Sequence, residues 1–103
     1  TTRFAWADCA LDAKQHTLTV SGKLVHIAPR HFDVLLCLVR RAGELVTKRE
    51  LLEAVWAGQS VSDASLHVAI GVVRRSLKCG ASYPIETVST LGYRFVGAVV
   101  VLA

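Results

Sequence analysis

Residues 47–56 read Thr-Lys-Arg-Glu-Leu-Leu-Glu-Ala-Val-Trp, and the rest of the chain is best ordered around them. Thr47 followed three positions later by Glu50 is a capping box. The threonine hydroxyl accepts from the amide of the third helical residue, and the glutamate reaches back to the amide of the cap. Leu51, Leu52, Val55 and Trp56 then share one apolar face, so a helix starts at residue 48. Ala57-Gly-Gln-Ser60 is too small and polar to continue it and reads as a loop.

Toward the C-terminus a second helix opens at Ser62 or Asp63, both residue types that cap helices well. Asp63 is read as a cap. Leu66, Ala69, Ile70, Val73 and Leu77 fall on one face at 100° per residue. The opposite face carries Ala64, Val68, Gly71, Val72 and Arg75, with His67 and Lys78 at its margins. The helix is expected to run to about Lys78, with Gly80 as its stop. Ile85 to Ser89 and Tyr93 to Val96 are β-rich runs joined by Thr90-Leu91-Gly92, where Gly92 supplies a positive φ if the turn needs one.

Toward the N-terminus, Gly43 stops another helix, which begins at Pro29, where the missing amide is harmless. Phe32, Leu35, Leu36 and Val39 form its stripe, widened by Cys37 and Leu38, and it is expected to reach about Ala42. Arg40 and Arg41 read as its solvated end. Before it come short strands: Arg3 to Trp6, a very short one at Leu11, Thr17 to Val20, and Lys23 to Ile27. The last two flank Ser21-Gly22, a two-residue hairpin signal.

The expected fold is therefore α+β in a single domain over 1–103. A four-stranded antiparallel sheet spans 1–27, a three-helix core spans 28–79, and a C-terminal β-hairpin spans 85–97. Residues 98–103 form a last edge strand or the start of a linker. Helices two and three, with their short connection, make a helix-turn-helix, and the hairpin lies where a wing belongs.

Composition narrows the function. The chain has 103 residues, 52% of them hydrophobic, enough for a packed core, and a formal net charge of +4, which favours a polyanionic partner. Cys9, Cys37 and Cys79 are odd in number and show no C-x-x-C spacing, which points to a reducing compartment and no disulfide framework. His16, His26, His31 and His67 have no ligand spacing, so no metal is expected. No cofactor and no small-molecule ligand are expected either. There is no Gly-rich phosphate loop, Ser/His/Asp arrangement or carboxylate pair, so the chain does not read as an enzyme. No signal peptide is visible, and the longest apolar run, residues 95–103, is far short of the ~20 residues of a membrane helix, so a cytoplasmic location is expected. The absence of an initiator Met suggests a piece of a longer protein.

The combination of Thr47 to Trp56, Ser65-Leu66, Ile70, Val73-Arg-Arg-Ser-Leu77, Ile85-Glu-Thr-Val88 and Gly92-Tyr-Arg-Phe95 resembles the OmpR/PhoB-type winged-helix DNA-binding domain of transcription regulators. The resemblance covers essentially the whole chain. The run from Arg74 to Lys78, followed by residues 83–88, is more similar to the CadC/ToxR-like branch, which carries the domain ahead of other regions, than to the branch with a receiver in front. The resemblance implies that helix three lies in the major groove and the hairpin wing at the minor groove. It implies that Lys48, Trp56 and Ser65 touch phosphates, that Val68 meets a base edge or thymine methyl, and that Arg74 and Arg75 serve the backbone or a base. It further implies that Thr87 contacts a phosphate and that Ser89 to Leu91, with Thr90 at the centre, form the wing. Lys78 and Val72 complete the DNA-facing set. The implied partners are double-stranded DNA, a second copy on repeated half-sites, and RNA polymerase at the loop between helices two and three.

The chain departs from the family pattern in three places. Gly71 and Val72 stand where polar readers are usual, Ser89 and Leu91 where the wing is often basic, and Ala28 where a capping hydroxyl precedes the proline. Arg74, Arg75 and Lys78 also suit a helix C-terminus without any ligand. Lys48 and Arg49, in contrast, sit in a first turn, where cations are mildly unfavourable and a phosphate would explain them. A second reading stays open at this point: a winged helix whose apolar groove face of Val68, Val72 and Leu91 takes a protein partner.

Overall fold

The turn at Ser21-Gly22 shows why the N-terminal segment folds on itself. Both residues are left-handed in the computed structural model, with φ of 51° and 78°, as the twist of a two-residue hairpin loop demands. The structure describes residues 2–77 and 84–102. The turn joins β3 (Thr17–Val20) to β4 (Lys23–Val25), and β1 (Arg3–Trp6) and β2 (Cys9–Asp12) form the preceding antiparallel pair. Phe4, Trp6, Cys9, Leu11 and Leu18 point inward and are buried.

Among the described residues this sheet has five strands, one more than the four expected. β8 (Val100–Leu102), from the segment expected as edge strand or linker, pairs with β1 in the register Arg3↔Leu102, Phe4↔Val101 and Ala5↔Val100. The strand order is β4-β3-β2-β1-β8. Without β8, the outer edge of β1 would present unpaired backbone groups. A run of valines suits that strand, but its uniform apolarity carries no alternation from which a strand could be read.

Helix α1 (Pro29–Arg40) starts on proline with no side-chain cap at Ala28 and buries Phe32, Val34, Leu35, Leu38 and Val39. Gly43 follows in the left-handed region, φ 86°, and its N–H donates to Phe95 C=O at 2.8 Å. His16 lies on the sheet side of α1, its ring centroid 3.9 Å from that of Phe32 and its Nε2 3.1 Å from Asp33 Oδ1. Arg41 is not a solvated helix end. It pairs with Glu50 and Glu44 and donates to Leu45 C=O at 3.3 Å, so it clips α1 to the next helix. The hydrogen bond from Arg41, with those from Thr47, holds the Glu50 carboxyl below its usual range.

Leu45–Thr47, which carry no strand signal in the sequence, form β5, and it pairs with β7 (Gly92–Phe95), which pairs with β6 (Ile85–Val88). The expected two-stranded wing is thus part of a three-stranded sheet in the order β5-β7-β6. Thr47 ends β5 and caps α2 (Lys48–Val55) in one residue. Its hydroxyl accepts from Glu50 N–H at 3.1 Å, and the Glu50 carboxylate accepts from Thr47 N–H at 3.1 Å.

Helix α3 (Asp63–Ser76) differs at its start from expectation. Ser62 occupies the cap position without a side-chain hydrogen bond, and Asp63 is the first helical residue. Asp63 therefore acts through the helix dipole and not as a cap. The expected helix end at Lys78 and stop at Gly80 lie outside the described residues. Leu66, Ala69, Ile70, Val73 and Leu77 are all buried, as their spacing predicts. The two sheets meet where Trp6 of β1 stacks edge-on against Phe95 of β7, ring centroids 5.1 Å apart.

The wing turn also differs. The left-handed residue is Thr90, φ 62°, and Gly92 is not in that region. A β-branched residue is uncommon there, so Thr90→Asn is expected to raise stability by about 0.5 kcal/mol. A lower midpoint in urea denaturation would contradict this.

Candidate nucleic-acid interface

The outer face of α3 is built by subtraction. Its inner residues are consumed by the core, which leaves Ala64, Val68 and Arg75 exposed and Ser65, Gly71 and Val72 half-buried. Val68 stands 59% exposed at the centre of this face. Gly71 is open enough that an added Cβ would meet only the Arg75 guanidinium, at 3.5 Å. The backbone of α3 can therefore come close to whatever covers the face.

Arg74 fixes the wing to this helix. Its Nη2 donates to Ile85 C=O at 3.0 Å and to Thr87 Oγ1 at 2.7 Å. The sequence offers Arg74 and Thr87 as separate contacts; the structure joins them into a brace between α3 and β6. Only the spatial pairing shows this, since the two residues lie on different elements.

The start of α2 completes the surface. Lys48 is half-buried, and its backbone N–H donates to Leu91 C=O at 3.2 Å, which ties the helix to the wing turn. Arg49 is exposed and lies 3.7 Å from Glu53. Ser89, Thr90 and Leu91 are exposed at the tip. Trp56 is placed differently from these: it is 8% exposed and belongs to the core at the C-cap of α2. Lys78 lies outside the described residues. The structure thus brings Lys48, Val68, Val72, Arg74, Arg75, Thr87 and Thr90 onto the helix-and-wing side of the domain, with Ser65 at the start of α3. What the sequence does not reveal is the pinning of the wing by β5 and by Lys48, because neither leaves a local pattern.

Two other features bear on function. Cys37 lines an open groove between α1 and α2 with Asp33, Leu36, Arg40, Arg41, Ala54 and Val55. Burial is the main cause that pushes its thiol above the usual range, which makes it a poor nucleophile. Among the described residues no cluster of His, Cys, Asp or Glu could hold a metal ion, and no helix is long and apolar enough to cross a membrane.

Residues 22–95 match the family model described as transcriptional regulatory protein, C terminal. Among curated proteins, the chain is 40% identical over 88 residues to the transcriptional regulator HilA of Salmonella typhimurium, covering 84% of this chain and 16% of that protein. It is 29% identical over 90 residues to the sensory transduction protein RegX3 of Mycobacterium tuberculosis, covering 84% of this chain and 40% of that one. The chain thus spans less than half the length of these relatives. Among solved structures, the response regulator DrrB of Thermotoga maritima, an OmpR/PhoB homolog, superimposes with a TM-score of 0.86 at 29% identity, over 94% of this chain and 45% of that one. The DNA-binding domain of Klebsiella pneumoniae RstA, solved in complex with the RstA box, gives 0.79 at 27% identity over 92% and 97%. The DNA-binding domain of E. coli CadC shares the fold, with a TM-score of 0.86 at 21% identity over 97% and 96%. On the match over residues 22–95 and a helix-turn-helix braced to its wing, the chain belongs to the OmpR/PhoB-type family of transcriptional regulatory protein C-terminal domains.

Proposed function

We propose that this domain binds double-stranded DNA for a transcription regulator, with α3 in the major groove and the wing at the minor groove. The observation that carries the reading is the Arg74 brace. It holds an exposed helix face and the first strand of the wing hairpin in one fixed relation, as two adjacent grooves require. Lys48, Ser65, Arg75 and Lys78 supply phosphate contacts, with Trp56 behind them and Arg74 and Thr87 at the helix–wing seam. Val68 and Val72 meet base edges, and Thr90 meets the backbone across the minor groove. Neither valine can form the bidentate pairs that discriminate bases by ~1–3 kcal/mol each, so one domain alone binds with modest specificity. Pairing of two copies on repeated half-sites, and DNA shape, supply the rest. The loop over residues 57–62 is open to RNA polymerase, and the domain acts in the cytoplasm without catalytic activity of its own.

Selection from random duplex DNA, followed by anisotropy titration against salt, tests this. An enriched motif is expected, with a slope of log K against log salt of about −3 to −4. Lys48→Ala should weaken binding to all sequences alike and flatten the slope by about one. No enriched motif and salt-independent behaviour would reject the reading in favour of a protein partner.

A further inference from the structure

Leu91 is a large apolar side chain held out at the wing tip, 56% exposed. Two hydrogen bonds hold its backbone in place. Its N–H donates to Val88 C=O at 3.0 Å, and its C=O accepts from Lys48 N–H at 3.2 Å. Thr90 before it is left-handed, which closes the turn tightly. The residues of the turn, 89–92, are Ser, Thr, Leu and Gly, with no cation among them. Through the Lys48 bond, the tip is one unit with the start of α2, whose first two side chains are the cations Lys48 and Arg49.

From this we infer that Leu91 is an apolar wedge for the minor groove. Its side chain enters between the sugar walls at a flexible pyrimidine–purine step and opens it, while Lys48 anchors a neighbouring phosphate. The inference rests on the DNA-binding reading above. Wedged apolar side chains partly unstack a base step and kink the duplex away from them, and such steps yield most easily. A pinned backbone means that little ordering entropy is lost on contact. A leucine contact releases no counterion, so its share of the affinity does not fade with salt, unlike that of a basic wing.

The test uses the 103-residue chain and a duplex recovered by selection, labelled at its two ends. Anisotropy reads affinity, and energy transfer between the labels reads bending. The wild type should bend the duplex. Leu91→Ala should lose about five- to tenfold in affinity at every salt concentration with an unchanged salt slope, and should lose the bend. Leu91→Met should keep both. Wild-type affinity and bend in Leu91→Ala would overturn the wedge, as would a salt slope flattened by about one. Loss of self-association in light scattering, with DNA affinity unchanged, would make the tip a protein contact instead. If selection recovers no DNA for the wild type, the DNA-binding reading falls, and the wedge falls with it. An unchanged melting temperature for Leu91→Ala would confirm that the fold is intact.

Discussion

Gly92→Ala is expected to destabilise the domain by about 3 kcal/mol, through a clash that no rotamer can relieve. A Cβ at residue 92 would lie 2.1 Å from Val46 O and 2.8 Å from Thr47 Cα. Both are backbone atoms of β5, and Val46 itself is fully buried in the core. β5 and β7 must therefore separate, at the point where Thr47 pairs with Gly92. The damage spreads because Thr47 is also the cap of α2, and Lys48 is bonded to Leu91. Urea denaturation should show a much lower midpoint with an unchanged slope. A shift under about 1 kcal/mol would mean that β5 is not packed on β7 as described.

Phe95→Ala should cost still more, about 4 kcal/mol, a large share of the roughly 5–15 kcal/mol that holds a domain together. Phe95 is fully buried, and its ring is the partner of Trp6 across the seam of the two sheets. Its carbonyl receives the N–H of Gly43, so β7 also anchors the end of α1. The truncated site cannot collapse easily, because strands on both sides are fixed by their own ladders, and a cavity remains. The substitution should lower the thermal midpoint strongly, while Phe95→Leu should cost about 1 kcal/mol. Similar costs for the two variants would show that the seam adapts and that packing there is loose.

Much of the candidate interface is legible in the amino-acid sequence. The outward face of α3 follows from helical spacing alone: once Leu66, Ala69, Ile70, Val73 and Leu77 are taken inward, Val68 and Arg75 can only face out. The roles of single residues are less legible. Arg74 and Thr87 look like two independent polar groups along the chain, yet the fold puts them 2.7 Å apart. Trp56 reads in the sequence as core, contact or both, because an aromatic ring at a helix end looks the same whether it caps a core or faces a ligand, and in the fold its ring packs in the core.

By itself the sequence determined the features whose bonds close within a few residues. The Thr47–Glu50 box set the start of α2, Pro29 that of α1, and Ser21-Gly22 the tight hairpin, because each is settled by local geometry. Only the tertiary structure decided the features with distant partners. β8 joins residue 102 to residue 3, and β5 joins residues 45–47 to residues 92–94. Such short strands carry no period, and their hydrogen bonds exist only once the rest of the chain has brought the two segments together. The same holds for the positive φ of the wing turn. Gly92 has the composition of the turn residue, but the approach of β5 required its missing side chain, and the left-handed position fell to Thr90.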